Sequence, residues 1–268
     1  MYRFLVTPRW LGLAAVTITA VVVMILLGQW QLDRYRERDA INARIDATAT
    51  ADPVPVASAL PPPEVGGGPP PPEDRAWTRV TVTGVYDPAG EVLVRGRSVE
   101  GRVGYEVVTP LRAADGSAVL VDRGWVPAAS EGPTVRPDVP PVPSGEVTVV
   151  GRVRLSESGG RAVEHVAGAG AQVRRIAVPH LARELPYPVY GAYVLADPVE
   201  PGFTPVPVHQ ENSWQNAAYV VQWWLLAGLT VVGFGYLARR EALAAAGRAG
   251  AAGEAAAVSR TGDTSPAA

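Results

Sequence analysis

Residues 10–32 read WLGLAAVTITAVVVMILLGQWQL and residues 212–238 read NSWQNAAYVVQWWLLAGLTVVGFGYLA, and neither stretch holds a charged side chain. About 20 apolar residues in a helix span the roughly 30 Å hydrocarbon core of a bilayer, so each stretch has room to cross one. Arg9 and Asp33 bound the first, Glu211 and Arg239 the second. Trp10 and Trp30 lie near the ends of the first. Trp214, Tyr219, Trp223 and Trp224 gather at one end of the second, with Tyr236 at the other. Aromatic residues in those places form interfacial belts. The core from Trp10 to Leu27 exceeds the roughly 7–15 apolar residues of a signal peptide, and no small-x-small cleavage site follows it. The expectation is a retained anchor at each end of a loop of domain size.

Charge orients the pair. Arg239, Arg240 and Arg248 follow the second span, and no Arg or Lys precedes it between Tyr193 and Glu211. Cytoplasmic flanks carry the excess of basic residues. The first span is ambivalent, with Arg3 and Arg9 set against Arg34, Arg36 and Arg38. The reading is a cell-membrane protein with both termini cytoplasmic and the loop extracytoplasmic.

Composition then excludes several classes. The net charge is −2, and all 24 basic residues are arginines scattered along the chain, which speaks against nucleic-acid binding. There is no cysteine, so the loop folds without disulfides and holds neither thiolate metal sites nor a cysteine nucleophile.

The expected organisation is a cytoplasmic N-terminus (1–9), the first span (10–32), a juxtamembrane segment with a linker (33–76), a β-rich domain (77–211), the second span (212–238) and a disordered cytoplasmic tail (239–268). Residues 52–72 hold nine prolines and Gly66-Gly67-Gly68, the composition of a semi-rigid spacer. From Trp77 the pattern changes to period two, the mark of strands. Strands are expected at 77–85, 91–95, 104–109, 118–122, 146–154, 172–178 and 189–195. Tyr86-Asp87-Pro88-Ala89-Gly90 and Asp115-Gly116 supply turns, and Pro179 to Leu185 one short helix. The fold class is a membrane protein whose two transmembrane helices flank a mainly antiparallel α+β domain, barrel-like or sandwich.

Chemistry is sparse. The three histidines, His165, His180 and His209, lack metal-ligand spacing. His180 and Glu184 share a helix face, as solvated pairs commonly do. Ser156 and Ser158 lack a nucleophile elbow, and Gly168-Ala169-Gly170 lacks the strand and Lys of a phosphate loop. No catalytic residue and no metal site is expected.

What stands out is residue choice at element ends: Gly28-Gln29-Trp30-Gln31-Leu32-Asp33-Arg34, then Arg97 with Gly101, Gly104 and Tyr105 before Val107-Val108-Thr109-Pro110-Leu111, then Val119-Leu120-Val121-Asp122-Arg123-Gly124-Trp125-Val126-Pro127, and finally Tyr219 to Trp223 in the second span. In this order they resemble the Surfeit locus protein family, assembly factors for cytochrome c oxidase. The resemblance covers Gly28 to Trp223 with gaps at the proline-rich linkers. It implies two membrane helices around an extracytoplasmic β domain, and a non-enzymatic role in maturing the haem-copper subunit by helping haem a reach it.

It also implies partners: an oxidase subunit, other assembly factors and the bilayer. Relatives tied to haem a carry a His at the start of the second span, where this chain has Asn216. A carboxamide is a poor iron ligand beside an imidazole. The candidate residues for transient haem a contact are therefore Asn216, Tyr219, Trp223, His209, Trp30 and Arg34. Arg97, Gly101, Gly104, Tyr105, Arg123, Gly124 and Trp125 form the partner or structural motif. Arg34, Arg97 and Arg123 are candidates for propionate pairing, each set against a structural ion pair, for example with Asp122. The other classes left open are a structural adaptor without haem contact and a membrane-tethered enzyme.

Overall fold

The computed structural model describes residues 3–132, 135–159, 163–208, 210 and 212–261. They divide into two compact units, one of residues 1–42 with 211–268 and one of residues 43–210.

The first unit is a helix pair. Helix α1 runs Pro8–Ala49, continuing past the apolar stretch through the charged residues after Asp33. In its most apolar stretch only 6% of residues are buried, and only 11% in the corresponding stretch of the C-terminal helix (Ser213–Thr261). A core helix of a soluble protein would be mostly covered, whereas these apolar faces need lipid. The two helices run antiparallel: Arg38 reaches the Asn212 carbonyl, Gly28 meets Trp224, and Trp10 packs edge-on against Phe234 at 5.8 Å. The alanine-rich stretch after Ala242, which composition reads as disordered tail, continues this helix to Thr261. Alanine has the highest intrinsic helix propensity, and a preceding helix removes the nucleation cost.

The second unit is a β-barrel. Its strands are β1 (Val54–Pro55), β2 (Glu64–Val65), β3 (Arg79–Tyr86), β4 (Val92–Val99), β5 (Arg102–Arg112), β6 (Ala118–Pro127), β7 (Glu146–Leu155), β8 (Glu164–Val166), β9 (Gly170–Val173) and β10 (Pro188–Ala196). Five of them close a circuit, β3–β5–β6–β10–β7–β3. Neighbours in it are antiparallel except β6 and β10, which are parallel. In chain order that is first–second–third–fifth–fourth, the connectivity of an OB-type barrel. Closure is narrow, since β3 meets β5 only at Val85↔Arg112 and Tyr86↔Leu111. Inside lie Val80, Val82, Leu111, Val121, Val153 and Val194.

Two insertions enlarge the barrel. Strand β4 sits between the first and second barrel strands and extends the sheet through β9 to β8. Helix α2 (Val178–Leu181), with Pro179 in its first turn, follows β9 and places Leu181 in one buried cluster with Leu120, Val108 and Tyr193. The strands follow the expected pattern with shifted bounds: β6 runs longer, to Pro127, whereas β9 is shorter than expected and ends at Val173 rather than 178. The Asp115-Gly116 turn forms as read, with the Asp115 carboxylate accepting from both the amide and the hydroxyl of Ser117.

The proline-rich stretch is no free spacer. Val54 and Pro55 pair in parallel with β3, Val56, Ala59 and Leu60 are buried in the barrel core, and Glu64 and Val65 pair with β10. Prolines lack the amide that a central strand requires, so such a segment joins a sheet only in short edge pieces.

Candidate functional site

The residues singled out in the β domain converge on one corner of the barrel. The indole of Trp125 donates to the Arg97 carbonyl at 3.2 Å, and Trp125 exchanges both backbone hydrogen bonds with Thr204 at 2.9 Å. A Cβ on Gly104 would collide with the Val126 carbonyl and stand 2.5 Å from the Trp125 ring. Gly124 has φ +130°, and a Cβ there would meet Phe203 at 2.8 Å. Gly101 and Glu100 form the left-handed turn between β4 and β5, and Tyr105 is buried with Phe203 and Leu93. Each glycine is therefore dictated by close packing or backbone sign rather than by a ligand.

Arg123 lies at the centre of this corner and is fully buried. Its Nε and Nη2 donate to Glu200, Nη1 to Glu91 and the Pro140 carbonyl, and Nη2 also to the Pro141 carbonyl. All five N–H groups of a guanidinium are thus used, with the Tyr86 and Phe203 rings at 5.2 and 4.8 Å. No donor remains for a haem propionate. Asp122 is not its partner: adjacent residues of a strand point to opposite faces, and Asp122 instead accepts from the Gly124 amide at 3.1 Å. Arg97 is likewise engaged, with Glu106 at 2.9 Å and Glu157 at 2.6 Å.

Burial pushes the Asp122 carboxyl well above the usual carboxylate range, and the neighbouring Glu106 adds to the rise. Burial also raises Glu106, against the opposing pull of Arg97. Taking both carboxyls out of water is an electrostatic cost of the corner. Among the described residues no group of three or more His, Asp or Glu side chains could hold a metal ion. A cavity of about 280 Å³ lies between the β3–β4 turn and the segment after β8, lined by Asp87, Glu91, Leu120, His165, Leu181 and Glu184. Its deeper carboxylates are engaged: Asp87 accepts from the Tyr187 hydroxyl at 2.8 Å, and Glu91 binds Arg123, Arg136 and Thr109.

The helix pair places the other candidates. A Cβ on Gly28 would stand 2.5 Å from the Trp224 ring, so glycine lets the indole lie against α1. The register set by Gly28–Trp224 and Arg38–Asn212 brings Asn216 level with Arg34 and Tyr35. Asn216 is half-buried, and its Nδ2 is buried without a hydrogen-bond partner. Trp30 and Tyr219 are exposed, and Trp223 is half-buried. Arg34 pairs with Glu37 at 2.9 Å on the exposed face, a kind of contact worth under about 1 kcal/mol. His209 lies outside the described residues. The side chains from Asn212 to Trp224 offer amides, hydroxyls and indoles but no imidazole or thioether, and a carboxamide is a poor haem-iron ligand. Iron ligation at Asn216 does not fit.

Sequence reasoning missed Glu91, Glu200 and Phe203, whose only signal was a charge or ring with no local partner. Together the geometry defines a membrane-anchored protein in which an OB-type barrel is carried between two apolar helices. The chain belongs to the SURF1 family, whose model matches residues 18–228. It is 32% identical over 244 residues to SURF1-like proteins of Mycobacterium tuberculosis and Mycobacterium bovis, covering 89% of this chain and 86% of theirs. It is 29% identical to mouse Surfeit locus protein 1 over 147 residues (49% of this chain, 44% of the mouse protein). With the Saccharomyces cerevisiae protein named cytochrome oxidase assembly protein SHY1 it shares 28% over 116 residues (43% of this chain, 28% of the yeast protein).

Proposed function

We propose that this chain is a membrane-anchored assembly factor for an aa3-type cytochrome c oxidase, acting by binding rather than by catalysis. Family membership carries the reading, together with the name of the yeast relative. Its partners are the haem-copper subunit and other assembly factors. It sits in the cell membrane with both termini cytoplasmic, in keeping with Arg239 and Arg240 after the second span. Haem a, in this reading, is met transiently by the aromatic faces of Trp30, Tyr219 and Trp223 and by Arg34, whose exposed pair with Glu37 is weak enough to exchange.

Deleting the gene tests the reading: assembled aa3 oxidase and its haem a absorbance fall while other oxidases persist. Unchanged haem a absorbance and oxidase activity overturn it. Reporter fusions after Gly145 and Ala268 test the orientation, an active phosphatase only at the tail reversing it.

A second reading, an adaptor that binds oxidase subunits without touching haem, is favoured by one observation: Asn216 stands where the family resemblance places a histidine. Titrating the purified protein with haem a separates the two. In the haem-contact reading Asn216→His tightens binding and shifts the bound spectrum toward a more strongly ligated iron. An unaltered affinity and spectrum favour the adaptor.

A further inference from the structure

The sheet extension β5–β4–β9–β8 carries an open groove of about 570 Å³ on one face. Its lining crosses all four strands, with Val103 and Tyr105 on β5, Arg95 on β4, Gln172 on β9 with Arg174 just beyond, and Val166 on β8. Among the described residues no carboxylate lines it. Gln172 is only 2% exposed, yet its Nε2 has no hydrogen-bond partner, and neither does the buried Nε of Arg95. Buried donors are nearly always satisfied, so two orphaned N–H groups in one groove mark the place of a missing acceptor. Arg174 is exposed and forms no ion pair among the described residues. Arg95 uses Nη2 to bind Glu164 at 2.7 Å.

We propose that this groove is a binding site for an amphipathic monocarboxylate, an apolar body ending in one carboxylate. The donors fix the head group. Arginine forks and an amide N–H match a planar acceptor with two oxygens. The charges fix its valence: Arg95 and Arg174 supply two positive charges and Glu164 cancels one, leaving a balance for a single negative charge rather than a dianionic phosphate. Val103, Tyr105 and Val166 supply the apolar wall, and the volume falls within that of small-molecule pockets. The carboxylate takes the N–H groups of Gln172, Arg95 and Arg174, while the apolar body covers the valines.

The test uses the full chain in phosphatidylcholine nanodiscs with a diazirine-bearing decanoic acid, the cross-linked residues being mapped by mass spectrometry. Labelling is expected within residues 95–105 and 166–174, competed by decanoate but not by decanol or decyl phosphate. Gln172→Leu and Arg174→Gln should each lower it about tenfold or more, the scale of one lost charge-assisted hydrogen bond. Arg174 is exposed, so its variant decides the matter even where Gln172→Leu fails to fold. Labelling confined to the two long helices, or unchanged in Arg174→Gln, overturns the proposal. Equal competition by decyl phosphate overturns it in favour of a lipid headgroup site, and equal competition by decanol reduces the groove to an apolar patch.

Discussion

The helix pair and the barrel corner use their distinctive residues in opposite ways. At the corner every donor of Arg123 is occupied, Trp125 is bonded through both backbone and indole, and Gly104 and Gly124 are packed against their neighbours. On the helix pair Trp30 and Tyr219 face outward, Arg34 holds only an exposed partner, and the Asn216 amide is unpaired. A side chain with all its valences spent holds a fold, whereas one left unspent is available to a partner. The motif that resembles the family most specifically is thus spent on the barrel itself.

The largest expected effect breaks the corner. Arg123→Ala strands Glu200, leaves Glu91 to Arg136 and Thr109 and releases the Pro140-Pro141 loop, and removing one member of a buried ion pair costs about 3–5 kcal/mol. Denaturant unfolding of the full chain in detergent, followed by circular dichroism of the barrel, should show that loss. Arg34→Ala in the same assay should fall within about 0.5 kcal/mol of the parent. Equal losses would erase the contrast between the two regions.

Overpacking comes next. Gly104→Ala pushes a methyl into the Val126 carbonyl and the Trp125 ring, a change that costs about 1–3 kcal/mol. Gly28→Ala should instead displace the Trp224 indole, read as a shift in tryptophan emission with little change in barrel stability.

The smallest effect is titration. Because burial raises the folded-state pKa of Asp122 and Glu106, the folded state binds more protons than the unfolded one above about pH 4. Their contribution to stability is therefore greatest at low pH and is lost as pH rises through the folded values. Asp115, held low by Ser117, opposes this only below about pH 4. Asp122→Asn should flatten the decline and raise stability at pH 7, measured as melting temperature across pH 4.5–8. A parent whose stability rises with pH over that range would overturn the account.

Much of the molecule was legible because its signals are local. Uncharged runs long enough for a bilayer, period-two valines from Trp77 and the Asp115-Gly116 turn each specify structure within a few residues. The helical tail was misread because composition alone ignores the helix that precedes it. The proline-rich stretch was misread because its few strand pairs depend on an edge of β3 and β10 that exists only once the barrel forms. Asp122, adjacent to Arg123, was the natural partner along the chain and the wrong one in space.

By itself, then, the sequence determined that two apolar helices enclose a β-rich domain, since hydropathy and strand period are properties of neighbouring residues. Only the tertiary structure decided that β3 closes onto β5, that Glu91 and Glu200 meet Arg123, and that Gln172 and Arg95 lie unsatisfied in one groove. Those outcomes join residues tens of positions apart, and the strand pleat and barrel closure, rather than any local preference, set which side chains share a face.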